Sequence, residues 1–487
     1  MLTIGPEPDA EDASTTDACC PACALRESSP AARPVRLVPK GRSGSEDRSV
    51  PRVRALPMIE PTARPSIARG TDRRIAYLGL LVAAAFFVAA PLGLAHLVVG
   101  RSGLWVPLHL ALAGSASTAV ASVLPFFAAA LAAAPPVRPQ WRIAGIGAVA
   151  SGALVVSLAV PTGRTEVAIV GGLVYIMGIG AVAVAALAPL RGALGIRRPL
   201  IEAAYGLALA QVAVGVLLAV GMIAGVAAVA GAWATLKPAH AWLNVFGFLA
   251  VVIAATLVHL APTVVGSRIR PRASAVIAVV CLVAGPPSVA VGMALQLDPL
   301  VRVGAAVELL GAMALVAHGI AIHRDGARWT TDLDWHRFTG WSLLLAPGWL
   351  LVAVALAAVP LLRSGADPAA WSVARIAAPL AIGFVGQILV GSWSHLLPAI
   401  GPGDQAAHAR RRATLGRWAG LRVVGLNAGT LAAAAGATLE MLDPMSGQPM
   451  LAAGLIIAVA SLASSVMLLV QAALPSPSSA SRPRAAF

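Results

Sequence analysis

The chain has 487 residues, 58% hydrophobic and 12% charged, with a formal net charge of +15. A soluble domain carries about 25% charged residues, so this composition excludes an ordinary globular enzyme and points to an all-α polytopic membrane protein. The positive charge is no nucleic-acid footprint, because the arginines lie in short loops between apolar runs, and the ~10-residue alternating segments of a membrane β-barrel are missing.

Residues 1–70 form a tail rich in Pro, Ser, Asp, Glu and Arg. Apolar periodicity is weak there, so the tail is expected to be disordered and cytoplasmic. No apolar core follows an early basic segment, as a signal peptide would require, and Met58 offers an alternative start. Cys19-Cys20-Pro21-Ala22-Cys23 contains a C-x-x-C. Such a pair binds zinc or copper or cycles as a dithiol, or has no role, and Ala24 stands where a c-type haem motif needs histidine. Cys281 is alone in a helix, so no disulfide framework is implied.

Residues 71–474 read as twelve membrane helices, and 475–487 as a second disordered cytoplasmic tail. The spans fall near 75–99, 104–133, 143–160, 167–188, 201–227, 239–265, 273–295, 301–322, 338–362, 371–399, 420–439 and 451–473. Each holds a mostly apolar run long enough to cross ~30 Å of hydrocarbon. With both termini in the cytoplasm, inner segments hold 21 arginines. Outer segments hold only Arg101, Arg164, Lys237, Arg302, Arg363 and Arg375. This bias predicts N-in, C-in insertion in the inner (plasma) membrane.

Spans 2, 6 and 10 close alike, on Val123-Leu124-Pro125, His259-Leu260-Ala261-Pro262 and His395-Leu396-Leu397-Pro398. The prolines are 137 and 136 positions apart. So regular a spacing predicts three pseudo-repeated four-helix units.

Polar groups in a bilayer are costly and need a reason. The outer ends of spans 1, 2 and 6 carry His96, His109 and His240. On a helix His240, Asn244 and Gly247 share a face by i, i+4, i+7 spacing, and Gly247 admits a neighbouring helix or a flat ligand. His109 has Gly114 five positions on. His109 and His240 could therefore face each other and bind haem iron or copper through neutral imidazole, with His96 a third candidate. The plainer alternative is three interfacial histidines bonded to water or headgroups.

At the inner ends, His259 and His395 each precede a proline by three. Each can donate to a carbonyl freed by Pro262 or Pro398, or join an inner metal or proton-relay site. Glu308 lies about 10 Å into span 8, where it either pairs with Arg302 or forms a proton or cation site. Arg375 either snorkels outward or neutralises a carboxylate such as a haem propionate.

Twelve spans in three arcs, with the His240-Ala-Trp-Leu-Asn244-Val-Phe-Gly247-Phe run ahead of His259-Leu-Ala-Pro262, resemble subunit I of the haem-copper oxidase and nitric oxide reductase superfamily. They are also similar to the NnrS family of twelve-span haem and copper proteins linked to nitrogen oxides. The run His395-Leu-Leu-Pro398-Ala-Ile-Gly401-Pro402-Gly403 resembles actinobacterial membrane proteins, some fused to copper-oxidase or copper nitrite reductase domains. The resemblance implies a low-spin haem ligand at His109 and a copper ligand at His240. It also implies a His-His pair in span 7, where only Cys281 is metal-capable, and histidines in span 10, where the sequence reads Trp371-Ser-Val-Ala-Arg375-Ile. Asn244 stands where oxidases place a tyrosine.

The expectation is a relative without a complete oxygen- or nitric-oxide-reducing centre, binding haem or copper and tied to nitrogen-oxide or copper redox metabolism. Two rivals stand beside it. One is a non-catalytic membrane partner of a cupredoxin or multicopper enzyme. The other is a proton-coupled transporter using Glu308 and Gln211.

Overall fold

Apolar stretches in hydrocarbon must satisfy every backbone N–H and C=O within themselves, which leaves the helix as the local solution. The computed structural model describes residues 65–98, 103–191, 198–326, 329–401 and 404–474, with side chains of the first helix described from 70 to 93. All lie in one compact unit, Thr62–Phe487. The C-x-x-C, Met58, the C-terminal tail and the side chain of His96 fall outside the described residues.

The helices are α1 (Pro65–Val98), α2 (Trp105–Ala132), α3 (Pro139–Ala159), α4 (Thr165–Arg191), α5 (Pro199–Ile223), α6 (Trp233–Val264), α7 (Ala273–Leu295), α8 (Asp298–Asp325), α9 (Asp334–Ser364), α10 (Val373–Ile400), α11 (Gln405–Gly416), α12 (Ala419–Glu440) and α13 (Pro444–Ala473). Among the described residues there is no strand. Eleven of these helices, α1 to α10 and α13, are long and apolar enough to cross a membrane. The fold is thus all-α and of the polytopic membrane type. α12 has the length but carries Arg422 and Asn427. α1 begins at Pro65, inside the stretch assigned to the N-terminal tail, and α11 fills a stretch expected to be a loop.

Two populations of helices differ in burial. In the most apolar windows of α2, α6 and α10, 72%, 67% and 67% of residues are buried, against 33–50% in the other eight crossing helices. These three inner helices are also where the α-helix gives way to π-helix, at His109–Ala116, Trp242–Ala250 and Ala378–Gly386. A π-helical turn leaves the backbone less regularly bonded and is common at functional sites.

The most extensive helix–helix contacts are three antiparallel hairpins, α3–α4, α7–α8 and α12–α13. All six of these helices carry two glycines seven positions apart: Gly145/Gly152, Gly171/Gly178, Gly285/Gly292, Gly304/Gly311, Gly429/Gly436 and Gly447/Gly454. Seven residues are close to two turns, so each pair lies on one face. A Cβ at Gly152 would sit 2.7 Å from the Gly171 carbonyl oxygen, and one at Gly304 2.7 Å from the Val289 nitrogen. The helices therefore touch backbone to backbone, as small residues permit in membranes. At the ends expected to face the cytoplasm, called inner below, Asp72–Arg142 joins α1 to α3 and Arg272–Asp325 joins α7 to α8.

Candidate functional site

A cavity of about 420 Å³ opens between α2, α3, α4, α5 and α6 at the end expected to face outward, called outer below. His109, His240 and Asn244 line it, with Trp105, Tyr175, Trp371 and Lys237 among the other wall residues. Most of the wall is aliphatic or aromatic, and Lys237 is the one permanently charged side chain on it.

Both imidazoles are held at the same nitrogen. His109 Nδ1 donates to the Trp105 carbonyl at 2.9 Å, and its ring stacks on Trp105 at a centroid distance of 3.7 Å. His240 Nδ1 donates to the Gly215 carbonyl of α5 at 2.7 Å. A carbonyl only accepts, so Nδ1 carries the hydrogen and the neutral ring presents its Nε2 lone pair. Neither Nε2 has a hydrogen-bond partner among the described residues. A carbonyl bond at Nδ1 is the usual outer-shell support of a metal-ligating histidine.

The face shared by His240, Asn244 and Gly247 packs on α5. Asn244 Nδ2 donates to its own helix at the His240 carbonyl, 2.6 Å away, and lies against Gly215. Gly247 is filled by Gln211, four residues before Gly215, whose Nε2 donates to the Val283 carbonyl of α7 at 3.2 Å. Gly114 is filled by Phe86 of α1. The two glycines thus admit neighbouring helices, and of the two uses open to Gly247 the structure has that one.

The remaining candidates are dispersed. His395 lines a second cavity of about 310 Å³ at the inner end, between α1, α2, α6, α9 and α10. His259 does not line it. His259 is buried, near Arg198. No hydrogen bond of either ring is described, and both Nδ1 atoms are buried without a partner, so the expected donation to a proline-freed carbonyl is not made. Glu308 is fully buried against Gly285, and neither carboxyl oxygen has a partner. The expected Arg302–Glu308 pair is absent. Six residues advance a helix by about 600°, to another face, whereas Arg302 meets Asp298 four residues back at 3.5 Å. The half-buried Arg375 donates from Nε to the Met441 sulfur at 3.1 Å, and it lines neither cavity.

Sequence reasoning missed three contributors. The Gly215 carbonyl carries no side-chain signal. Trp105 could have been noticed as the residue one turn before His109. Lys237, three before His240, is one of only two lysines in the chain. A further missed group lies away from that cavity, where His336 Nδ1 meets Asp332 at 2.6 Å and Nε2 meets the Val264 carbonyl at 2.6 Å, tying α9 to α6.

Among the described residues no group of three or more His, Cys, Asp or Glu side chains is placed to hold a metal ion. The outer cavity offers two imidazole nitrogens in an apolar wall. His109 and His240 would hold a haem iron or a copper ion through imidazole nitrogen, and they do not supply the three imidazoles of an oxidase copper. Fold and site together define a polytopic helical membrane protein with a two-histidine cavity near one surface. No protein-family model matches the chain, and no curated protein matches it.

Proposed function

We propose that this chain is a twelve-span protein of the plasma membrane, with both termini cytoplasmic, built as three four-helix units on the plan of haem-copper oxidase subunit I. It holds a haem or a copper ion through His109 and His240 and serves nitrogen-oxide or copper redox metabolism without an oxygen- or nitric-oxide-reducing centre of its own. One observation carries the reading: two imidazoles from different helices line one cavity, each fixed at Nδ1 and each with Nε2 unengaged. Three further features support the plan. Basic residues are concentrated on one side. π-helical turns interrupt the second, sixth and tenth helices. Tight hairpins recur at the third–fourth, seventh–eighth and last two.

His109 and His240 would bind the group, the Trp105 and Gly215 carbonyls orient their rings, and the apolar wall limits water. The bound group supplies one-electron redox chemistry. A site at the outer end lies within reach of a soluble cupredoxin or multicopper protein, which is the partner this reading implies. Glu308 and Gln211 line neither of these two cavities. The test is an absorption spectrum of protein purified from cells replete in haem and copper. A Soret band, or stoichiometric copper, that vanishes in His109→Ala and in His240→Ala is expected. Colourless, metal-free wild-type protein overturns the proposal.

A further inference from the structure

The outer and inner cavities share one residue, Leu249. On α6 the outer cavity runs from Lys237, which is exposed, to Leu249, which is 2% exposed. The inner one runs from Leu249 to Thr263, exposed again. At 1.5 Å per residue these stretches are about 18 and 21 Å long, so together they cover about 39 Å, more than the ~30 Å of bilayer hydrocarbon. α2 repeats the pattern. Leu112, Ala113 and Ser117 face the outer cavity, while Ala116, Ala119 and Val120 face the inner one. The join on α2 falls at the end of its π-helical turn, and Leu249 lies within that of α6.

We infer that α2 and α6, with α3, α4 and α5 around the outer half and α1, α9 and α10 around the inner half, line an hourglass passage across the membrane, closed at Leu249 and, when open, fitted to small uncharged solutes of about the size of water or ammonia. The passage is that of the chain without haem, since a haem held by His109 and His240 would fill the outer vestibule. Two vestibules that meet at one buried aliphatic side chain fit a constriction that gates by dewetting. The choice of solute follows from the walls. Beyond Lys237 at the outer mouth, no carboxylate, arginine or lysine lines either vestibule, so an ion entering would lose its hydration without a compensating charge. The imidazoles of His109, His240 and His395 and the hydroxyls of Thr256, Thr339 and Ser392 offer hydrogen bonds to a neutral polar molecule. A register shift of the π-helical turn in α6 would move Leu249 without breaking the helix.

The experiment is stopped-flow osmotic water permeability of proteoliposomes holding the full chain. Wild type marks the closed state. Leu249→Ala is expected to raise permeability about tenfold, as a dewetted constriction fills, with potassium flux unchanged. Leu282→Ala, a comparably buried site in the α7–α8 hairpin, controls for general loosening. Equal permeability of the two variants overturns the inference. A second measurement does not depend on the alanine variant folding. Val245→Cys and Val252→Cys, above and below Leu249, are placed singly in a chain whose four native cysteines are serine. A membrane-impermeant thiol reagent is expected to reach position 245 from outside only and position 252 from inside only. Failure of either to react, or reaction from the opposite side, overturns it.

Discussion

The three inner helices and the three glycine hairpins solve opposite problems. In α3–α4, α7–α8 and α12–α13, side chains are removed where helices meet, and the backbones close on each other with no room to spare. In α2, α6 and α10, most of the residues are buried yet cavities survive beside the helices, and each helix carries a π-helical turn. The two helices of each hairpin are close-packed and leave no space between them. The inner trio keeps open space and unengaged imidazole nitrogens. Rigid packing outside is what allows loose packing inside to persist, since a cavity in hydrocarbon survives only if its walls cannot collapse.

The strongest way to break this contrast is to fill a hairpin glycine. Gly152→Val would push side-chain atoms into the Gly171 carbonyl and the Tyr175 backbone, 2.7 and 2.6 Å from a Cβ. A loss of about 3 kcal/mol or more is expected, since backbone cannot yield as a rotamer can. The check is thermal unfolding in detergent. Gly147→Ala on the same helix meets nothing within 4 Å and should be neutral or stabilising by about 0.5–1 kcal/mol.

A smaller effect is expected from His240→Ala, which strands the Gly215 carbonyl at about 1–3 kcal/mol and removes the proposed ligand. Unfolding should therefore shift modestly while bound cofactor is lost completely. Trp349→Phe deletes the 2.7 Å bond to Asn427 that ties α9 to α12. About 0.5–1.5 kcal/mol is expected, with no change at the outer cavity.

The smallest effect lies at the surface. Asp404 caps α11 through a 2.8 Å bond from the Ala407 N–H, which is the main reason its carboxyl is held below the usual carboxylate range. A depressed value means the cap contributes above the ordinary carboxylate pKa and is lost as pH falls through the lowered one. Amide exchange in the first turn of α11 should therefore speed up only on acidification, and in Asp404→Ala it should be fast at neutral pH too. Inner-helix amides should not respond.

Much of this division was legible in the sequence. Apolar runs and the Leu-Pro tails mark the helices, and the cost of a polar group in a bilayer singles out His109 and His240. The glycine pairs were equally visible, at a constant spacing of seven, but become meaningful only when two helices are known to face each other. Other features had no sequence signal. A π-helical turn is decided by packing and not by composition. The imidazole partners are backbone carbonyls, one of them on another helix. Arg302 and Glu308 were paired by proximity along the chain, where the helical angle between them forbids it, and this misreading shows the limit of one-dimensional spacing.

The most direct measurement is the haem and copper content per chain of wild type, His109→Ala, His240→Ala and His395→Ala, prepared side by side. One equivalent in wild type and in His395→Ala, with none in the two outer variants, is the predicted result. No bound haem or copper in wild type, or equal content in all four, would contradict the account.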